Sequence, residues 1–446
     1  MFKRKNKQKP IEEQKPKTKL EESTPKLEKS EPKEKISKDK QLKIKKSHKI
    51  AFAPKGKKLY LTLFISFVIL LIGCSVFCYF YLEKIFSTYH PNDYSKLEEK
   101  TYIYDNLTGQ IIEDEKINSM PINCIQIPNG TDGARSQAGL NQASIIFEAI
   151  AEAGITRFAA IFKNPTVSAI GPVRSLRIYY LQWDTPFDCT IVHAGGAPDA
   201  LAALKSGGYR DHTENYTYMY RSAKNSTLNR RWNNLFTNPT GLTGFNQDHG
   251  YNTSNPKTFP RLTPFESEEQ REELDAKIAA YTEYAANPDD YEKPIEPASL
   301  VTSIKFRFGN LKNFNPVYTY NKESNTYLRA YESGQAHTVY NCSQDLTGKI
   351  TPEVSCGEPI QLAPSVVIAM IVQESKASDN YHEAITTIGS GKAYIFQNGT
   401  AIEGTWEKSS AAEQIVFRNS EGEIVSLAPG QTWISAIPNS GSVTYE

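Results

Sequence analysis

Apolar and polar positions divide the chain before any motif is considered. Residues 1–58 contain no apolar cluster, and Phe2 and Phe52 are their aromatics. Leu59 to Leu82 then runs without a charged residue, LYLTLFISFVILLIGCSVFCYFYL. At about 1.5 Å per residue, such a helix spans a hydrocarbon core of roughly 30 Å. Residues 83–120 form a sparse lead-in, with Asp105-Asn106-Leu107-Thr108-Gly109 as a turn between short extended pieces. Dense patterning begins at Pro121. Strand-like runs at Asn123–Ile127, Ile145–Ala151, Thr156–Phe162 and Asp188–His193 alternate with Gly and Pro punctuation, and a helix is expected over Pro198–Lys205.

Residues 266–292 are charged and helix-forming and lead into a linker containing Pro294 and Pro297. Beyond Ser303 the text turns to short β-rich runs: Ile304–Phe308, Val317–Tyr320, Val366–Val372 and Ala393–Phe396. The expected fold class is α+β, a mixed α/β ectodomain followed by a mostly β module. The expected divisions are 1–58 disordered basic tail, 59–82 transmembrane helix, 83–120 lead-in, 121–265 α/β domain, 266–299 helix and linker, and 300–446 β-rich module.

Charge sharpens this division. The formal net charge of the 446 residues is +1, yet residues 1–58 carry 21 bases against 8 acids. The remainder carries 30 bases against 42 acids. Too little apolar surface is available in the tail to offset the entropy of ordering it. Positive charge before the apolar span places the N-terminus in the cytoplasm and the large C-terminal part outside. Lys43, Lys45, Lys46, Lys49, Lys55, Lys57 and Lys58 would lie on the anionic inner leaflet. Membrane is therefore the expected partner of the tail, and no nucleic acid is expected.

Leu71-Ile72-Gly73-Cys74 fits a bacterial lipobox, so lipidation of Cys74 competes with retention of the helix. Cys342 and Cys356 are close enough to form a local disulfide in an oxidising compartment, whereas Cys189, inside an apolar run, reads as a small buried residue. No Cys/His spacing resembles a zinc site, and no P-loop or dinucleotide glycine motif occurs. No metal or cofactor is expected.

Several segments together resemble the YerB family, extracytoplasmic proteins built from an N-terminal and a C-terminal DUF3048 domain. They include Ala134-Arg135 to Ala143, Ala153-Gly154-Ile155-Thr156-Arg157-Phe158, Ile170-Gly171-Pro172-Val173-Arg174-Ser175-Leu176-Arg177 and Val192-His193-Ala194-Gly195-Gly196. In the C-terminal half they are Tyr327-Leu328-Arg329, Thr387 to Tyr394, Gly404-Thr405-Trp406 and Pro429 to Ile434. The resemblance covers roughly 120–250 and 300–438, and its usual members look like lipoproteins. Asn233-Asn234-Leu235 departs from it, since similar proteins tend to place histidine before the asparagine.

The candidate chemistry is basic. Arg135, Arg157, Arg174 and Arg177 lie in or beside glycine-containing segments, and guanidinium forks match carboxylate and phosphate. Structural pairing of Arg157 and Arg174 with Glu148 and Glu152 is the plainer alternative. A hairpin turning at Ala153-Gly154 would set Arg157 opposite Ile150 and put Glu148, Ile150, Glu152 and Arg157 on one face. His193-Ala194-Gly195-Gly196, ahead of a helix with Pro198 in its first turn, makes an anion-binding corner. Ser390-Gly391-Lys392 is a surface pattern, and Trp406 and Trp433 are expected in the core or at its rim.

These residues imply a membrane-anchored module binding an anionic envelope ligand, a glycan phosphate or a peptide carboxylate. Two alternatives stand beside it. One is an envelope-polymer enzyme with a faint likeness of arrangement to LytR-type phosphotransferases, using Glu148, Arg174 and Arg177. The other is a scaffold without catalysis.

Overall fold

The computed structural model describes residues 101–130, 135–223, 228, 233–289, 292–343 and 355–446, all within one compact unit. The basic tail, the apolar span 59–82, Cys74 and residues 83–100 of the lead-in lie outside the described residues. Among the described residues no helix is long and apolar enough to cross a membrane.

Strands form where apolar runs are bounded by turn residues. In chain order they are β1 (Ile122–Pro128), β2 (Ile145–Glu152), β3 (Ile155–Lys163), β4 (Thr190–His193) and β5 (Arg210–Thr213). The second half adds β6 (Ser303–Arg307), β7 (Pro316–Asn321), β8 (Thr326–Tyr331), β9 (Val366–Val372) and β10 (Gly389–Gln397). It ends with β11 (Thr400–Lys408), β12 (Val416–Asn419), β13 (Thr432–Pro438) and β14 (Ser442–Tyr445). The helices are α1 (Ile178–Asp184), α2 (Pro198–Gly207), α3 (Pro239–Asp248) and α4 (Pro264–Ala286).

Ten strands make one sheet in the order β12-β11-β10-β9-β13-β2-β3-β1-β4-β5. The join falls between β13 and β2, which run parallel with Thr432 opposite Ile145 and Ser435 opposite Glu148. The sheet therefore runs without a break through the boundary that composition placed between 265 and 300. Strands β1, β2, β4, β5, β9 and β13 point the same way, so their carboxyl ends share one edge. Both faces are covered, which explains the continuous apolar runs of β2 and β9. One face packs on α1 and α2 through residues such as Phe147, Ile161, Tyr180 and Trp183. The other packs on α3, and on a four-stranded sheet ordered β8-β7-β6-β14 through Ile150, Ile304, Phe306, Val367 and Phe396.

Local chemistry sets the connections. Asp105 Oδ1 accepts from the backbone of Leu107 and Thr108, closing the expected turn between Ile103–Tyr104 and Ile111–Ile112. This lead-in is anchored, because Leu107 is fully buried in the core. Ala153 and Gly154 have φ of 50° and 76°, the left-handed pair that a two-residue hairpin requires. Helix α4 starts at a capping box, Thr263 with Glu266.

Candidate functional site

Glu148 is the fully buried one of the two carboxylates in β2, and its burial defines the centre of the molecule. It is fully buried, and its Oε2 accepts from Arg329 at 2.7 Å and from the Trp433 indole at 2.9 Å, while Oε1 accepts from Thr156 at 2.9 Å. Arg329, on β8 and equally buried, also donates to Tyr318 and to His337 Nδ1 and lies 4.4 Å above the Trp433 ring. Burial alone would pull this guanidinium down, but Glu148, Tyr318 and Tyr331 more than reverse that and hold it charged. His337 accepts at Nδ1 from Arg329, so its Nε2 carries the proton donated to Gln137. Burial and the charges of Arg329 and Arg135 keep that imidazole neutral, far below its usual range. Glu148, Arg329, His337 and Gln137 are closed to solvent, and they tie the N-terminal half to the C-terminal half.

Arg135 is the outward end of this network. Its guanidinium stacks 3.8 Å over Tyr331, whose hydroxyl donates to Asn129, and it contacts the Asn313 carbonyl and Gln335. Glu148 and Arg135 thus belong to the joint between the halves. They do not sit with the other candidate residues.

The expected hairpin face is corrected in one respect. Glu152 lies opposite Ile155 as the two-residue turn requires, but a bulge at Ala151 puts Arg157 opposite Ala149 instead of Ile150. An inserted residue flips everything beyond it by one side-chain position. Glu148 stays on the face toward Arg329, and Glu152 moves with Arg157 to the face carrying α1.

There Glu152 receives Arg157 at 3.0 Å and Arg177 at 2.5 Å. Burial pushes the Glu152 carboxyl up, but the two arginines outweigh it and hold it below the ordinary carboxylate range. Both guanidinium groups are over nine-tenths buried and also contact the Ser175 carbonyl. Two cations therefore share one anion, and the Nε atoms of Arg157 and Arg177 have no partner. Arg174 is half-buried, and among the described residues its guanidinium has no hydrogen-bond or ion-pair partner. Its backbone is fixed by Gln126 and Ala194, so the segment 174–177 is stitched to 194–197 at the carboxyl edge of the sheet.

His193 is not available at that corner. Its Nδ1 lies 2.7 Å from the Gly195 carbonyl and its Nε2 2.9 Å from Asp211, and the residue is buried. Gly195, at φ 71°, faces open space, whereas Gly196 is packed against Leu176 and Leu201. The structure brings Arg157, Arg174, Arg177, His193, Gly195 and Gly196 to one edge, where Arg174 is half-buried and Gly195 has open space before it.

Sequence reasoning missed Glu374. It begins a hairpin of Glu374–Lys376 with Glu383–Ile385, and the adjoining His382 bridges backbone-to-backbone with Glu152. Burial, with Glu383 close by, pushes the Glu374 carboxyl up to about 7. The charges of Glu374, Glu152 and both buried arginines all bear on the Tyr179 hydroxyl, which burial pushes up. An acid followed by Ser and Lys gives no pattern by which to find it. The folded state keeps a proton on Glu374 that the unfolded chain releases near 4.5, so its contribution to stability is present at low pH and lost as pH rises toward about 7. Glu374→Gln is expected to flatten the melting temperature between pH 5 and 7.5 relative to wild type, and parallel curves would refute the raised value.

Other expectations settle quickly. Cys342 and Cys356 are bonded to each other, but Cys189 is no simple buried thiol, because it bonds Cys124 across β1 and the start of β4. Ser390 and Lys392 form no catalytic pair, since Lys392 reaches Glu403 at 3.0 Å. Trp406 and Trp433 are both in the core. Asn233, in the segment that departs from the family resemblance, is buried. Among the described residues no group of His, Cys, Asp and Glu could hold a metal ion.

The sequence matches the DUF3048 N-terminal domain over residues 107–252 and the DUF3048 C-terminal domain over residues 304–434, both described as of unknown function. It is 26% identical over 337 residues to YerB of Bacillus subtilis (strain 168), named as a putative lipoprotein, covering 75% of this chain and 86% of that protein. A crystal structure of the YerB protein from Bacillus subtilis superposes with a TM-score of 0.56 at 22% identity, over 77% of this chain and 99% of that one. That likeness establishes the shared fold.

Proposed function

Because the chain belongs to the DUF3048 family and carries both its N-terminal and its C-terminal domain, we propose that it is a membrane-held extracytoplasmic binding protein. Its ligand is anionic, a phosphate or carboxylate of the envelope, and it binds at the carboxyl edge of the ten-stranded sheet. One observation carries this reading: Arg157 and Arg177 share the single carboxylate of Glu152, leaving an uncompensated buried charge beside the unpartnered Arg174. Carboxyl ends of parallel strands are also where open α/β sheets take their ligands.

The uncharged span at Leu59–Leu82, preceded by lysines, supports a membrane anchor, and so does the lipoprotein name of the relative. Two disulfides suit an oxidising exterior. In contrast to the expectation from sequence, Glu148, Arg135 and His193 are occupied inside the protein and form no part of this reading.

Arg174→Ala is expected to weaken retention of inorganic phosphate or citrate at least tenfold in calorimetry at low salt, with unchanged denaturation. Retention equal to wild type would refute the arginine site. Turnover of an envelope polymer is the second reading, favoured by a carboxyl poised near neutrality at Glu374. Phosphate release that is lost in Glu374→Gln, with ligand retention intact, would select it over binding alone.

A further inference from the structure

At the opposite edge of the sheet, where β1 begins and β3 ends, a cavity of about 430 Å³ lies between α3, the Lys116–Pro121 segment and Asn164-Pro165. That size falls within the ~300–1,000 Å³ of small-molecule sites. Its polar lining is dominated by carboxamides: Asn123, Asn164, Asn246, Gln247 and Asn252. The exposed Lys116 is the one charged group among the described residues that line it, so the lining is otherwise neutral.

The floor is oriented in advance. Thr190 donates to Asn246 Oδ1 at 2.6 Å, and Asn246 Nδ2 donates to Asn123 Oδ1 at 3.1 Å. This chain fixes the Asn123 amide with its oxygen inward, and its Nδ2 is left without a partner in a residue that is 4% exposed. A donor of an otherwise buried amide that opens only on a cavity is free to meet an acceptor from a ligand. Met120, Pro121 and Leu242 supply an apolar wall beside it.

A second cavity of about 480 Å³ shares Asn164 and Pro165 as a wall. Besides the Asp105–Lys163 ion pair, whose two charges offset each other, it is lined by amides, among them Asn141, whose buried Oδ1 has no partner, and Gln142, whose amide is held by Thr166. The two cavities thus lie side by side against Asn164-Pro165.

We infer that these neighbouring cavities bind a neutral acetamido sugar chain, with Asn123 donating to an acetamido carbonyl in the first cavity. Carboxamides present one donor group and one acceptor each, which suits neighbouring hydroxyls and the N–H and C=O of an acetamido group. The acetamido methyl suits the wall of Met120, Pro121 and Leu242. The site is separate from the arginine edge and does not depend on it.

The test is calorimetric titration of the full chain in detergent with the N-acetylglucosamine tetramer, the unacetylated glucose tetramer and tri-alanine. Saturable binding of the N-acetylated tetramer is expected, at least tenfold tighter than the glucose tetramer. Asn123→Ala is expected to weaken it at least tenfold. Thr243→Trp, which fills the first cavity from an exposed helix position outside the Thr190–Asn246–Asn123 chain, is expected to abolish it while leaving denaturation unchanged. Arg174→Ala should leave sugar binding intact, so failure of this site is distinguishable from failure of the anion site. Absence of saturable binding, equal affinity for the unacetylated tetramer, saturation by tri-alanine, or binding unmoved by both variants would each overturn the assignment.

Discussion

Glu148→Gln should lower the stability of the folded domain by about 3–5 kcal/mol in equilibrium urea denaturation, the largest loss expected from one isosteric change in this chain. Arg329 is fully buried and cannot shed its proton at any accessible pH, so removing the carboxylate strands a cation among Trp433, Tyr318 and Phe158. The converse change, Arg329→Met, should cost less. Glu148 then still accepts from Thr156 and Trp433. The double variant Glu148→Leu with Arg329→Met should recover much of the loss, because well-packed apolar replacements of a buried pair are often near neutral. A Glu148→Gln protein within 1 kcal/mol of wild type would mean that Arg329 has another partner. Loss of the joint is also expected to loosen both halves together, since Ser435 and Trp433 on β13 meet Glu148 on the strand beside them.

Reduction of the disulfides should separate two effects of different size. Cys124 and Cys189 are 65 residues apart, and closing a loop of that length restricts the unfolded chain by about 4 kcal/mol, against about 3 kcal/mol for the 14-residue separation of Cys342 and Cys356. Cys124→Ala with Cys189→Ala should therefore destabilise more than the corresponding pair of changes at Cys342 and Cys356. The difference should grow further because the first bond lies in the core between neighbouring strands β1 and β4. Urea midpoints of the two double variants, measured oxidised, provide the comparison. An equal or reversed order would show that the unfolded chain is already constrained between β1 and β4.

Much of the element order was readable because apolar runs bounded by Gly, Pro and Asn do not depend on distant contacts. β9 falls on Val366–Val372 as read, and α2 extends the expected helix only to Gly207. α1 escaped notice because IYYLQWD is short and buried on most sides, so no amphipathic period exists to find. α3 was hidden by two glycines and a proline within ten residues.

The site was legible in residue type and not in arrangement. Four arginines and a glycine corner were visible, but a single bulge at Ala151 decided that Glu148 and Glu152 face opposite ways. Nothing in IIFEAIAE announces that insertion, which is a property of the pairing between strands. The partner of Glu148 lies 181 residues away on β8, and a long-range ion pair leaves no local spacing to read. The pairing of Cys189 was missed for the same reason. The sequence by itself determined the charge division, the uncharged span, the strand and turn positions and the membership signalled by its motifs, all of which are local properties of composition and periodicity. Tertiary structure alone decided which charges cancel, which cysteines bond and which amides are left facing a cavity, because burial and partnership are set only when distant strands share a sheet.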